Sequence, residues 1–134
     1  MWSLMPPTIS EMASGLTDAE IFVLMACEGV GKSPLLRVFP RRVLRRPSVV
    51  KPLKAVGVDV DEVVHSLVEK GHLKQAGRNW LAATPRGNVV KHAFDRLRND
   101  LVLDGKLPPV PRILLERIPQ LRVEMERREK LLRP

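Results

Sequence analysis

The chain has 134 residues, with 23 Lys and Arg against 15 Asp and Glu, a formal net charge of +8 and 44% hydrophobic residues. Its single cysteine, Cys27, excludes an intrachain disulfide framework and a Cys-rich zinc finger, and no apolar run approaches the roughly 20 residues of a membrane span. What remains is one folded domain with an anionic partner, nucleic acid first and an acidic protein second. The start, Met1 to Pro7, has no basic region before its prolines and does not read as a signal peptide, so a cytoplasmic setting is expected.

Charge is distributed in blocks. Residues 1–31 hold four acids and no Lys or Arg. Residues 32–56 hold eight bases (Lys32, Arg37, Arg41, Arg42, Arg45, Arg46, Lys51 and Lys54) and no acid. Residues 57–71 turn acidic again, with Asp59, Asp61, Glu62 and Glu69 against Lys70. A block of eight like charges repels itself until an anion neutralises it.

Along the chain, Thr8-Ile9-Ser10-Glu11 has capping-box spacing and predicts a short helix over 9–14. Thr17 and Glu20 predict a firmer start, with Leu16 stapling Ile21, and Ile21, Leu24 and Met25 on one face. That helix should stop near Cys27 or Glu28, before Gly29 and Gly31. Residues 32–47 read as irregular, with single helical turns around 35–38 and 41–45. Ser48 is the expected cap of a helix over 49–56, with Pro52 near its first turn. Asp59-Val60-Asp61-Glu62 opens a helix over 60–70, with Val60, Val63, Val64, Leu67 and Val68 on one face and Gly71 after its end. Strands at 72–75 and 79–83 should meet through a turn at Ala76-Gly77. Thr84 and Pro85 then cap and open a long helix that runs to Asp104-Gly105.

After Pro108, Pro109 and Pro111 comes a segment in which Leu114, Ile118, Leu121, Met125 and Leu132 step by 4, 3, 4 and 7. This is heptad-like, with Arg128 at the skipped position and Pro119 kinking the segment or starting a helix. Either the seam pairs with a second copy, giving a homodimer in which a partner's Glu124 or Glu126 neutralises Arg128, or it is an amphipathic helix packed on its own domain.

Leu67-Val68-Glu69-Lys70-Gly71-His72-Leu73 followed by Leu81-Ala82-Ala83-Thr84-Pro85-Arg86-Gly87 resembles the winged helix-turn-helix family, in particular transcription regulators of the MarR and PadR kind. Leu16 to Glu20 is similar to that family's first-helix start. The resemblance covers about 17–100. It implies a mostly α chain with a small β-hairpin (α+β), organised as an N-terminal arm over 1–15, a winged-helix domain over 16–106 and a C-terminal helical arm over 107–134. It also implies a transcription regulator that binds duplex DNA. Phosphates would be held by Arg41, Arg42, Arg45, Arg46, Lys51, Lys54, Lys74 and Arg78, and bases read by His65, Ser66 and Lys70. The dimer interface would be Leu114, Ile118, Leu121, Met125 and Leu132. The chain departs from the pattern in the acids at the start of its reading helix, Asp59, Asp61 and Glu62, and in the arginine-rich stretch before helix 49–56. The alternative partner is therefore another protein, met through helix 60–70 and Trp80.

Other motifs carry less. Gly29-Val30-Gly31-Lys32-Ser33 lacks the first glycine of a phosphate loop, its position being Ala26, and a helix rather than a strand precedes it. His65, His72 and His92 have no ligand spacing, Cys27 reads as a small buried hydrophobe, and no acid pair or nucleophile–base set argues catalysis. The expectation is a protein without enzymatic activity, cofactor or metal. Trp80 alternates away from Leu81, where it could pack under 112–134, meet a second copy or stack on a base.

Overall fold

The computed structural model describes residues 7–27, 38–108 and 115–132. The near-phosphate-loop at 29–33, most of the turn expected at 35–38, and Leu114 lie outside them.

Two capped helices open the described chain. In α1 (Ile9–Ala13) the Thr8 hydroxyl accepts from the Glu11 N–H. In α2 (Asp18–Ala26) Thr17 Oγ1 accepts from the Glu20 N–H at 3.1 Å, and the Glu20 carboxylate accepts from the Thr17 N–H at 2.9 Å, the reciprocal box that the spacing predicts. Ile21 to Met25 are all buried, not only one face. The reason is position: α2 is the central helix, and one surrounded by other elements is apolar all round.

A short strand, β1 (Val38–Pro40), leads into a 3-10 turn over Arg41–Arg45 and then α3 (Pro47–Ala55). The strand is missing from the sequence expectation, because three residues ending in proline carry no readable alternation. Proline is tolerated there because β1 is an edge strand. Ser48 is not the cap of α3. The helix begins one residue earlier, with Pro47 in its first turn and Arg46 at the cap position, whose Nε donates to the Val43 carbonyl at 2.8 Å.

Next come α4 (Val60–Glu69), β2 (Leu73–Gly77), β3 (Trp80–Ala83) and α5 (Pro85–Leu103). α4 buries Val60, Val63, Val64 and Leu67. It ends where Gly71, at φ +80°, lets His72 N–H reach back to the Leu67 carbonyl at 2.9 Å. The three strands are antiparallel in the order β1-β3-β2, with Phe39 opposite Leu81 and Leu73 opposite Ala83. The first hairpin strand runs two residues further than expected, to Gly77, and the second starts one residue later, at Trp80. The turn falls at Arg78-Asn79, with Asn79 at φ 63° and a bulge between Gln75 and Gly77.

α5 is locked to the end of α4 by one residue, Thr84. Its N–H donates to the His72 carbonyl, its hydroxyl donates to the Gly71 carbonyl at 2.6 Å, and the same oxygen accepts from the Gly87 N–H. Gly87 must be a glycine, since a methyl group there would overlap the His72 carbonyl oxygen.

The last helix, α6 (Ile118–Leu132), corrects the expected arm. It packs against α1, α2 and α5. Ile118, Leu121 and Met125, three of the five expected dimer contacts, are buried in the chain's own core, and only Leu132 of the described ones faces out. Arg128 needs no partner subunit, because it pairs with Glu124 at 3.1 Å and Asp100 at 2.9 Å. Arg122 clamps the α1–α2 corner, donating to Asp18 at 2.7 Å and to the Ala13 and Leu16 carbonyls. Together with Ala13 of α1, these side chains join the segments expected as terminal arms to the central core. Leu121→Ala should therefore cost about 2–3 kcal/mol and Leu132→Ala within about 0.5 kcal/mol. Urea unfolding should show a midpoint independent of protein concentration; a concentration-dependent midpoint would restore the seam between copies. Among the described residues no helix is long and apolar enough to cross a membrane.

Candidate nucleic-acid interface

The basic block divides in space. One hydrogen bond decides how: the Arg41 N–H donates to the Asn79 carbonyl at 2.8 Å. It ties the start of the 3-10 turn to the tip of the β2–β3 hairpin, and Pro40 pairs with Trp80 just before it. Arg41 is thereby placed beside Arg78 at the tip, with Arg42 and Arg45 following it in the 3-10 turn, while Lys74 lies on β2, across β3 from β1 and opposite Ala82. Arg42, Lys74 and Arg78 are exposed, with no ion pair among the described residues. Arg46 is turned back onto its own 3-10 turn. Lys51 and Lys54 are also exposed. They lie further along α3, Lys54 being about 12 Å along the helix axis from Arg46 at 1.5 Å per residue.

The acidic start of α4 meets this cluster. Asp61 lies 3.4 Å from Arg45 and 4.0 Å from Arg41. The Asp59 side chain accepts from the Asp61 N–H as the helix cap. The acids at 59–62 thus have local roles: Asp59 caps α4 and Asp61 meets Arg41 and Arg45. Five bases (Arg41, Arg42, Arg45, Lys74 and Arg78) stand against the three acids Asp59, Asp61 and Glu62, and only Arg41 and Arg45 face Asp61, so the balance stays positive.

The residues expected to read bases are not a reading set. Ser66 and Lys70 point to α2. Ser66 Oγ donates to Glu20 at 2.9 Å, and Lys70 Nζ donates to Glu20 at 2.7 Å and to the Gly15 carbonyl. Both are committed to a buried carboxylate and are withdrawn as base contacts. His65 is exposed but lies 3.0 Å from Glu69. The open face of α4 is therefore Asp61, Glu62, His65 and Glu69. Such a face repels phosphates, and among bases its carboxylates suit only the cytosine amino group.

Burial alone would raise the Glu20 carboxyl, but hydrogen bonds from Lys70, the Thr17 N–H and Ser66 outweigh it and hold the group below its usual 4.5. The stability it supplies is then complete above about 4.5 and is lost as pH falls through the depressed folded value. Glu20→Gln should be less stable at neutral pH, with a deficit that narrows on acidification. Urea midpoints of both proteins over pH check this; a deficit constant down to acid pH would contradict it. His72 is buried beside α5. Burial, Arg86 and Lys70 press its pKa down against the pull of Glu20, which keeps the ring neutral.

Cys27 is buried and donates to the Val23 carbonyl, and burial pushes its thiol up to about 12, so it has no thiolate for redox chemistry. Lys91 caps the C-terminal end of α2 through the Met25 carbonyl at 3.0 Å and pairs with Asp95. A groove of about 570 Å3 between α2, α3 and the start of α6 is lined by Ala19, Pro52, Val56, Val58, Leu115 and Pro119 among others. None of the basic residues lines it. Among the described residues no group of three or more His, Cys, Asp and Glu is placed to hold a metal ion.

Two contributors to this edge escape the sequence reading. The Asn79 carbonyl fixes the tip, and Pro40 flanks Trp80. Both depend on β1, whose only signal is the apolar pair Val38-Phe39 between Arg37 and Pro40. Comparison of the chain with protein-family models, curated proteins and solved structures yields no significant match.

Proposed function

We propose that this chain is a winged-helix protein without catalytic activity that binds duplex DNA by its phosphates, through the edge formed by the 3-10 turn and the hairpin. The chain order α2-β1-α3-α4-β2-β3, with strands arranged β1-β3-β2, supports the winged-helix reading. In it α3 and α4 are the helix-turn-helix and β2–β3 the wing, with α1, α5 and α6 added around them. A role in transcription regulation rests on the resemblance carried by Leu67–Leu73 and Leu81–Gly87.

The observation that carries the binding surface is the Arg41–Asn79 hydrogen bond, because it converts a sequence run and a distant hairpin into one cationic edge. The acidic open face of α4 argues against base reading in the major groove. Phosphate contact is sequence-independent and releases counterions. With four to five phosphates neutralised, log K should fall with log salt at a slope of about −4. Fluorescence anisotropy with a labelled duplex over rising salt tests this, and a flat response or no binding at low salt would reject it. A second reading is favoured by that same α4 face: the exposed Glu62 and Glu69 suit a basic protein partner. It becomes the better account if no duplex binds.

A further inference from the structure

Of the Phe and Trp side chains among the described residues, Trp80 is the exposed one. Among the described residues, the phenylalanines Phe22, Phe39 and Phe94 are all within the core, whereas Trp80 is 41% exposed. Its place is not a frayed loop. Trp80 begins β3 and is paired on both sides, with Pro40 of β1 and Gly77 of β2. Strand alternation sends its ring to the sheet face opposite Leu81, which is wholly buried. That outer face also carries Pro40, Lys74 and Ala82, since Ala82 follows Trp80 by two residues and pairs with Lys74. The result is an indole beside a proline ring, with the Lys74 ammonium one step along the sheet.

The edge next to this platform is the cationic one already described. Arg41 follows Pro40 directly, and its N–H is held by Asn79, the residue before Trp80. Arg78 lies one residue further back. An aromatic face bordered by backbone-binding cations is what an unpaired base requires: the ring takes the base by stacking, and the cations take the flanking phosphates. Because β1 supports the hairpin out to its tip, the backbone that carries the ring is ordered before binding, which reduces the ordering cost. A closed duplex cannot use it, since its base faces are covered by their neighbours.

We infer that Trp80 is a stacking platform for an unpaired base, so that the protein prefers a duplex bearing a single-stranded overhang to a continuous duplex. This rests on the DNA-binding reading above, with the 3-10 arginines on the duplex phosphates and the wing sheet on the adjoining strand.

The test uses the full chain carrying Trp2→Phe, which leaves Trp80 as its only indole. Two ligands are titrated: a dumbbell duplex whose ends are closed by non-nucleosidic linkers, so that it has no unpaired base, and the same duplex opened to carry an oligothymidine overhang. The overhang ligand should quench Trp80 fluorescence and bind about tenfold tighter or more than the dumbbell. Trp80→Phe should retain most of that preference. Trp80→Leu should lose it while keeping the dumbbell affinity and the circular-dichroism spectrum. Equal affinity for the two ligands, or a preference that survives in Trp80→Leu, would overturn the platform. Steep salt-dependent binding of the dumbbell would in that case leave the DNA-binding reading standing. Failure to bind either ligand would remove both.

Discussion

Replacing Gly87 with alanine is expected to destabilise the fold by about 4 kcal/mol, a large loss for one methyl group. The usual effect has the opposite sign. An alanine in place of a glycine inside a helix gains up to about 1 kcal/mol. Here the added carbon would meet the backbone of His72, with its oxygen in overlap and its carbonyl carbon at 2.9 Å. Backbone cannot swing aside as a flexible side chain does. Moving α5 outward would also break the two hydrogen bonds that Thr84 donates to the Gly71 and His72 carbonyls. It would disturb Val90, Phe94 and Leu97 as well, which lie on the same helix in the core. Chemical denaturation of Gly87→Ala beside the wild type measures the effect. A variant within about 1 kcal/mol of wild type would show that α5 can shift away from the α4–β2 junction at little cost.

The second large effect concerns binding. Changing Arg42, Lys74 and Arg78 together to Glu should weaken duplex binding at least about a hundredfold, because each change removes one phosphate contact and adds one repulsion. Arg41 and Arg45 are left in place, since both face Asp61. The three altered side chains are exposed, so stability should change by no more than about 0.5 kcal/mol each. On α4 the expected sign is reversed. Glu62→Gln with Glu69→Gln removes acid from a face that the proposed binding mode does not use, so affinity should hold or rise slightly. A loss of DNA affinity in that α4 variant would mean that the helix enters the groove after all.

Much of this architecture was legible in local chemistry. The Thr17–Glu20 box, the Thr84-Pro85 start and Gly71 at the end of α4 are short-range devices, each satisfied by atoms within a few residues, and all three form as the spacing predicts. The valine face of α4 follows from periodicity alone. What could not be read is what distant segments do for one another. The strand at 38–40 exists because β3 is there to pair with it. Ser66 and Lys70 look like free polar positions on a reading helix until Glu20, some 50 residues earlier in sequence, is placed beneath them. The heptad-like seam of α6 has the same spacing whether it faces a second copy or its own core. The choice was made by α1, α2 and α5, which offer the apolar surface it covers. The basic edge shares this character: its residues are a sequence block and a hairpin, and only the Arg41–Asn79 bond makes them neighbours.

The most direct test of the central claim is a count of phosphates lost from this edge. Duplex affinity is measured over a series of salt concentrations for the wild type and for Arg42→Gln, Lys74→Gln, Arg78→Gln combined. With three contacts removed, the slope of log K against log salt should become shallower by about 3, near 0.9 for each phosphate. A slope unchanged from the wild type, with binding intact, would place the DNA elsewhere on the molecule.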